Sequence, residues 1–373
     1  MKSGFVWGLA TAVLPLAGVA AVPAFRGDVC PVRLDGVRLG ADLTPGGSSL
    51  RNSIVYEPVT RLFHLWVLAN NDSNFPTTSA LAAFTHATST DGIHFRRDGE
   101  LRHSIASVPY ASYGATIDPP LDFVRVAFDQ QSGTWKLFGW TENVGASTGQ
   151  YNYNTSVNEL GSVASNTVVL HQGPLNTPFA GNHVGAFGLV DGKVYLRVDS
   201  LYPDGSGGGG ASFAYSDGLP SSTGALLNEA NLFTGTPYCW GLGPDCGGSD
   251  PRIPAYVHNV GRTLRQQDGS LATYYAFRKW DGSRADQQVW MVESIDNGAS
   301  WSAPVGVFAN SSAITLAGQP LSANFSHVET VIATNVCRTY FSSKDAAGNF
   351  VMVSATTYGA CDSLFANGFE GCD

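Results

Sequence analysis

Charged side chains are scarce in this sequence, at 14% of 373 residues, where soluble proteins average roughly a quarter. Basic residues are the scarcer sign, with 21 Lys and Arg against 30 Asp and Glu, so that the net charge is −9. That balance argues against a nucleic-acid backbone or an anionic membrane as the main partner. Amphipathic helical stretches of useful length are also missing, which disfavours a helical fold.

Glycine, in contrast, is abundant, with 43 residues where an average share would be about 7%. Many short strands joined by tight turns give such a composition. The chain is long enough for one large β domain or two ordinary ones, and length alone does not choose. We therefore expect an all-β sandwich, barrel or propeller.

Residues 1–24 contain an apolar run after Met1 and Lys2, followed by small residues suited to cleavage, which is typical of a secretory signal peptide. The alternative is a membrane anchor, but Pro15 and several Gly and Ala residues dilute the run. We predict a secreted or periplasmic protein with no membrane span in its mature form.

The six cysteines lack the paired C-x-x-C spacing of a zinc site. An exported protein meets an oxidising compartment, so we expect disulfides. Six cysteines permit 15 pairings, and our hypothesis pairs Cys239 with Cys246, Cys337 with Cys361, and Cys30 with Cys372.

The stretch from Ser294 to Trp301 predicts a turn with a defined structure. Asp296 can accept backbone N–H bonds within the turn, Gly298 can adopt a positive φ, and Trp301 can fold back as an apolar plug. This sequence resembles the Asp-box of sialidases and related β-propellers, S-x-D-x-G-x-[ST]-W. A shorter copy runs from Ser89 to Phe95. The simpler alternative is a pair of ordinary hairpin turns.

One unit repeats along the chain: a strand, a turn, an aromatic-rich strand, a polar loop and a third strand. Its equivalent aromatic residues are Phe63, Trp135, Tyr195, Tyr274 and Tyr340. Their spacing suits four-stranded blades with loops of unequal length. We predict one five-bladed β-propeller over residues 25–360, with a tail at 361–373. The segment from Val29 to Gly40 is expected to complete the fifth blade as its outer strand.

Counting back from these aromatics predicts a ring of polar residues where the innermost strands start. The ring consists of Arg51, Asp122, His183, His258 and His327. We expect it to converge on the axis, on the face where propellers bind ligands. The alternative is that each histidine only caps its own strand.

Alternation along the strands adds Arg262 on the face of His258, and Glu329 on the face of His327. The ends of the second strands, which lie on the same face, add Glu142, Asp199, Arg278 and Trp280. Carboxylates, guanidinium groups and an aromatic ring in one concave site suit a sugar.

The blade pattern is similar to that of the five-bladed propeller glycosidases, the arabinanase, xylosidase and invertase group. That resemblance implies two carboxylates flanking the scissile bond, a role that Asp122 and Glu142 match in this sequence. Arg51 stands where the family has an aspartate at the start of its first blade.

We therefore predict a secreted glycoside hydrolase that acts on a glycan in the central funnel, and we expect a monomer. Its catalytic candidates are Asp122, Glu142, His183, His258, His327 and Glu329. Its substrate-binding candidates are Arg51, Asp199, Arg262, Arg278 and Trp280. The alternatives are a polysaccharide lyase or sialidase-like enzyme and a non-catalytic glycan-binding propeller. The sequence specifies no particular cofactor, and a divalent metal held by His183, His258 and His327 is an alternative that goes with the lyase.

Overall fold

The computed structural model describes only part of the chain. The described ranges are residues 27–40, 52–67, 81–104, 125–143, 148–160, 168–174, 184–199, 211–215, 228–231, 255–266, 268–279, 287–302, 305–306, 314–333 and 336–357. All regular structure in these ranges is β-strand. Consequently, no helix of the described residues has the length and apolar character needed to cross a membrane.

Four short strands open the described chain, and four-stranded blades follow. The opening strands are β1 (Gly27–Asp28), β2 (Cys30–Pro31), β3 (Arg33–Leu34) and β4 (Val37–Arg38). Blade 1 contains β5 (Asn52–Glu57), β6 (Leu62–Val67), β7 (Leu81–Ser89) and β8 (His94–Ser104). Blade 2 contains β9 (Arg125–Asp129), β10 (Thr134–Asn143), β11 (Thr148–Ser156) and β12 (Val168–Pro174).

Blades 3 to 5 repeat the same antiparallel order. Blade 3 contains β13 (Val184–Val190), β14 (Lys193–Asp199), β15 (Ala211–Tyr215) and β16 (Asn228–Asn231). Blade 4 contains β17 (Ala255–Arg265), β18 (Leu271–Lys279), β19 (Gln287–Ser294) and β20 (Val305–Gly306). After a hairpin of β21 (Ile314–Leu316) and β22 (Gln319–Pro320), blade 5 contains β23 (Ser322–Ala333), β24 (Val336–Lys344) and β25 (Phe350–Thr357).

The first strands of the five blades form a closed ring. Strand β5 packs against β9, β9 against β13, β13 against β17, β17 against β23, and β23 returns to β5. Each first strand is also the edge of its own sheet. The protein is therefore a five-bladed β-propeller, which confirms the fold predicted from the sequence.

The repeated aromatic residues explain why the blades stack. Each lies in the second strand of its blade, β6, β10, β14, β18 or β24, and all five are buried: Phe63, Trp135, Tyr195, Tyr274 and Tyr340. A large buried ring on each blade supplies much of the apolar contact that holds neighbouring sheets together. Each blade thus has a buried aromatic residue in its second strand, although its position within the strand varies from the second residue to the fifth.

The N-terminal segment closes the ring. Cys30 and Pro31 pair with Ser354 and Val353 of β25, as predicted for an outer strand of blade 5. The rest of the segment departs from the prediction, because β3 pairs in parallel with β8 of blade 1.

The apolar side chains of this segment explain the crossing between blades. Val32, Leu34 and Leu39 are buried in one cluster with Phe63 of blade 1 and Met352 of blade 5. One segment therefore binds the first blade to the last. Cys30 is disulfide-bonded. The proposed partners Cys372 and Cys361, with Cys239 and Cys246, lie outside the described residues, so the pairings stay predictions.

The turn at Ser294 has the hydrogen bonds that its sequence predicts. Asp296 Oδ1 accepts from Ser300 N and from Ser294 Oγ, both at 2.8 Å. Gly298 has φ 91° and Trp301 is buried. Ser89, Asp91 and Gly92 repeat the pattern in the shorter copy, where Gly92 has φ 75°.

Both turns lie on one face of the propeller. Because strands alternate in direction within a blade, the turns between first and second strands and between third and fourth strands share that face, which we call the turn face. The first strands begin, and the second strands end, on the opposite face, which we call the funnel face.

Candidate functional site

Several of the predicted site residues lie outside the described residues. These are Arg51, Asp122, His183 and Trp280. Three of them directly adjoin described strands. Arg51 directly precedes β5, His183 directly precedes β13, and Trp280 directly follows β18. Their place on the funnel face stays a prediction.

Three predicted residues end second strands on the same face. Glu142 is the last residue but one of β10, Asp199 is the last of β14, and Arg278 is the last but one of β18. The backbone register confirms these positions, since Glu142 pairs with Gly149 and Asp199 pairs with Ala211 at the ends of their ladders. All three therefore lie at the ends of second strands, and their roles in a site stay predictions.

Two of the predicted strand starts are wrong. His258 lies within β17, which begins at Ala255, and His327 lies within β23, which begins at Ser322. The reason is local irregularity, because the ladder register shifts after His258 and again between Ser326 and Glu329. A β-bulge adds a residue to one strand only, so a fixed count back from the aromatic residue misplaces the strand start.

The structure brings Arg262 and Glu329 together at the propeller axis. The Arg262 Nε and Nη2 groups both contact Glu329 Oε1. The same guanidinium donates from Nη1 to the Val126 carbonyl at 3.2 Å and from Nη2 to Ser53 Oγ at 3.2 Å. Arg262 of blade 4 thereby reaches the first strands of blades 1, 2 and 5.

Ser53 extends this polar layer between blades 1 and 2. Its Oγ accepts a hydrogen bond from Val126 N at 3.0 Å in addition to the one from Arg262. Arg125 Nη1 donates to the neighbouring Asn52 carbonyl at 3.2 Å. Ser53 was not predicted as a site residue, because it belongs to no motif and its contacts are with other blades. We call Ser53, Val126, Arg262 and Glu329 the axial layer.

Glycine allows the first strands to come close enough for these contacts. A Cβ on Gly261 would lie 2.5 Å from the Val328 carbonyl oxygen, and a Cβ on Gly188 would lie 2.4 Å from that of Thr263. Both obstacles are backbone atoms, which do not move independently. These two positions therefore require glycine if β13, β17 and β23 are to pack as they do.

The axial layer is buried and electrically balanced. The side chains of Arg262 and Glu329 are 13% and 3% exposed. A carboxylate and a guanidinium in such a place stabilise each other's charge, while neither ion would be stable there alone. Each of these predicted site residues thus has the other as its partner, and their roles in substrate binding and catalysis stay predictions.

A cavity of about 370 Å³ lies below the axial layer, on the turn face. Its wall includes Arg262, Asp129, Gln131, Asp191 and Arg265. Arg265 is already engaged by Asp191 Oδ2 at 2.6 Å and by Asn297 Oδ1 at 3.0 Å. This cavity therefore opens away from the predicted funnel. The charged side chains of Arg265 and Asp191 in its wall are paired with each other.

In the described part of the chain, no group of three or more His, Cys, Asp or Glu side chains has a geometry that holds a metal ion. The ring of histidines considered for a metal includes His183, which lies outside that part. Metal binding there stays a prediction.

Comparison with known proteins returned structural similarity alone. No family model matches the chain, and no curated protein sequence matches it. An endo-arabinase from Bacteroides thetaiotaomicron is similar over 86% of this chain and 96% of its own, with 11% identity and a TM-score of 0.49. An endo-arabinanase from Bacillus licheniformis is similar over 86% and 95%, with 13% identity and a TM-score of 0.45.

A third similar structure is an exo-β-1,3-galactanase from Phanerochaete chrysosporium solved with galactose. The similarity covers 90% of this chain, with 11% of the residues identical and a TM-score of 0.48. It covers 64% of the galactanase, which is less than two thirds of that protein. These are the proteins that this chain resembles, at an identity too low to transfer any residue's role.

Proposed function

We propose that this protein is an exported carbohydrate-active enzyme, a glycoside hydrolase that acts on a glycan at the funnel face. One observation carries the proposal. Glu142, Asp199 and Arg278 end second strands at the face where Arg51 and His183 directly precede first strands. These positions belong to separate blades, as a site in the central funnel requires.

The residue types at this face suit glycosidic bond hydrolysis. Hydrolysis needs one carboxyl group that protonates the leaving oxygen and a second that activates water or attacks the sugar. Glu142 and Asp122 are the pair that we assign to these roles. Arg51 and Arg278 supply donors for hydroxyl or carboxylate groups of the sugar, and Trp280 supplies a ring for its apolar face.

The direct test is to incubate the purified protein with a panel of neutral and acidic polysaccharides and to analyse the products by mass spectrometry. We expect oligosaccharides that have gained water at each cleaved bond. Unsaturated products would show a lyase instead, and binding without any product would show a glycan-binding propeller.

Variants then test the assigned residues. Glu142→Gln and Asp122→Asn should each lower turnover by about 10²-fold or more, since each removes a group needed for proton transfer. His258→Ala tests the histidine ring in the same assay. Asp191→Asn is the control, because it removes an exposed carboxylate on the turn face. Equal activity in all these variants would overturn the assignment.

Export is part of the same proposal. It is supported by the apolar run within residues 1–24 and by the disulfide at Cys30. N-terminal sequencing of the protein recovered outside the cytoplasm should start after residue 24 or close to it. An uncleaved N-terminus would contradict the signal peptide.

A further inference from the structure

Blade 1 contains a buried chain of two carboxylates and two imidazoles that the proposed function does not use. His64 on β6 and His86 on β7 join ring to ring, with His64 Nδ1 at 3.1 Å from His86 Nε2. The far nitrogen of each ring faces an acid. His86 Nδ1 is 2.5 Å from Asp98 Oδ1, and His64 Nε2 is 3.3 Å from Glu57 Oε2.

The two imidazoles in the middle of this chain are buried, whereas the two carboxylates at its ends are partly exposed to solvent. The side chains of His64 and His86 are 5% and 0% exposed, whereas those of Glu57 and Asp98 are 13% and 33% exposed. Trp66 and Trp135 pack against the imidazoles, with 4.9 Å between the ring centroids of His64 and Trp135. Because Trp135 belongs to blade 2, the chain lies at the boundary of blades 1 and 2.

Counting protons along the chain shows that it is one proton short. Three contacts need three protons, and two neutral imidazoles carry only two. The close contact of His86 Nδ1 with Asp98 assigns a proton to that nitrogen, because a lone pair there would face a carboxylate. His86 Nε2 is then an acceptor, and His64 Nδ1 must donate to it.

The missing proton therefore belongs between His64 and Glu57. With His64 protonated on Nδ1, its Nε2 presents a lone pair to the Glu57 carboxylate. His64 Nε2 is a buried atom with no hydrogen-bond partner among the described residues, so its 3.3 Å approach to Glu57 Oε2 is a contact and not yet a hydrogen bond. Glu57 Oε2 is itself held in place by the hydroxyl of Thr60.

We propose that the Glu57–His64–His86–Asp98 chain is a proton-binding site that takes up one proton, and only one, between His64 Nε2 and Glu57 Oε2 when the solution becomes acidic. A second proton is opposed because it would place two imidazolium ions 3.1 Å apart. The acidic groups that face the rings are Glu57 on β5, Asp98 on β8 and Glu159 after β11. All three favour the first proton.

The energetics of the neutral state agree with this geometry. Burial lowers the pKa of both His64 and His86 below the ordinary histidine value, and the neighbouring imidazole lowers that of His64 further. Glu57, Asp98 and Glu159 oppose this effect. At neutral pH the chain is therefore in the state that lacks its third proton.

Ring nitrogen chemical shifts in ¹⁵N-labelled protein, followed from pH 8 to pH 4, test the proposal. His64→Gln and His86→Gln assign the two signals among the eight histidines. We expect both rings to be neutral and protonated on Nδ1 at pH 8. On acidification, His64 alone should gain a proton.

Glu57→Gln is the decisive variant. A glutamine amide can donate an N–H to His64 Nε2, so that it supplies the missing proton permanently. Neither ring should then titrate between pH 8 and pH 4. Glu159→Gln is the matched control, because it removes a nearby negative charge but no link of the chain, and the titration should persist at a lower pH.

The opposite results would overturn the proposal. A His64 ring that is protonated on Nε2 at pH 8 would show that the chain runs in the other direction. Two rings that titrate independently, or an unchanged His64 titration in Glu57→Gln, would show that these residues share no proton.

Discussion

Arg262 and Glu329 meet at the axis as one cation and one anion, whereas blade 1 places two neutral imidazoles between two carboxylates. The axial pair joins blades 4 and 5, whereas the four residues of the second cluster all belong to blade 1, and its two imidazoles are buried. Arg262 and Glu329 neutralise each other's charge, so acidification to pH 5 should not change the stability that this pair contributes. The chain in blade 1 is balanced only with an added proton. We therefore expect the contribution of the axial pair to stability to be independent of pH in this range, and that of the blade 1 cluster to depend on pH.

The largest effect that we expect comes from breaking the axial pair. Arg262→Met leaves the Glu329 carboxylate buried without its partner, and should lower the free energy of unfolding by about 3–5 kcal/mol. Urea denaturation measures it. Arg265→Met on the same strand removes an exposed ion pair with Asp191, which should cost less than about 1 kcal/mol.

A double variant separates lost charge balance from lost packing. Arg262→Met combined with Glu329→Leu removes both ions, and should recover most of the stability that the single variant loses. If the double variant were as unstable as the single one, the cost would lie in packing rather than in an unpaired charge.

The next largest effect should come from acid, which we expect to destabilise the protein through His64 and His86 of blade 1. The pKa values of His64 and His86 are lowered in the folded state, so the unfolded chain binds protons first as the pH falls below about 6.5. The stability contributed by the neutral rings is complete above that pH, and is lost as the pH falls toward the folded pKa values. Each ring contributes a slope of up to about 1.4 kcal/mol per pH unit.

Denaturant midpoints between pH 7.5 and pH 5 measure this slope. Asp191→Asn is the control, because it removes an exposed carboxylate on the turn face and leaves every histidine in place. It should leave the slope nearly unchanged, while His64→Gln should reduce it. A slope that is the same in both variants would assign the acid sensitivity to other groups.

Glycine substitutions compare the packing at the axis with the packing at the boundary of blades 1 and 2. Gly261→Ala pushes a methyl group against the Val328 carbonyl and should cost about 1–3 kcal/mol. Gly99→Ala, at the boundary of blades 1 and 2, meets only the Leu160 side chain, at 2.9 Å. Because a leucine end can move, this variant should cost clearly less, and equal costs by thermal unfolding would mean that the axis is no more rigid than the boundary.

The smallest effect should be a gain. Glu57→Gln replaces a carboxylate that faces a lone pair with an amide that can donate to it, which should stabilise the protein at pH 7.5 by about 0.5–1.5 kcal/mol. Glu159→Gln should give no such gain in the same denaturation assay. A loss of stability in Glu57→Gln would contradict the arrangement of protons inferred for the chain.

The fold could be predicted from the sequence because its signals are local and repeated. Aromatic residues such as Phe63 and Tyr340 recur once per blade, and glycine-containing turns such as the one at Gly298 punctuate them. The closing segment was foreseen only in part. Strand pairing of Cys30 and Pro31 follows from an unpaired outer strand in blade 5, but the crossing of Leu34 into blade 1 depends on tertiary packing.

The site was harder to predict because its contacts are remote in sequence and some strands are irregular. Alternation singled out Arg262 and Glu329, yet their mutual contact joins residues of different blades. Because of β-bulges next to His258 and before Glu329, counting residues back from the aromatic positions did not give the strand starts. The contact between His64 and His86 was not predicted, because neither residue belongs to a motif. The two side chains meet diagonally across the paired strands β6 and β7.

Double-mutant cycles at pH 7.5 and pH 5.0 test the contrast between the two clusters most directly. One cycle uses Arg262→Met and Glu329→Leu, and the other uses His64→Gln and Glu57→Gln. We expect a favourable Arg262–Glu329 coupling that is the same at both pH values, and a Glu57–His64 coupling that becomes more favourable at pH 5.0. A pH-dependent axial coupling, or an invariant Glu57–His64 coupling, would contradict the account.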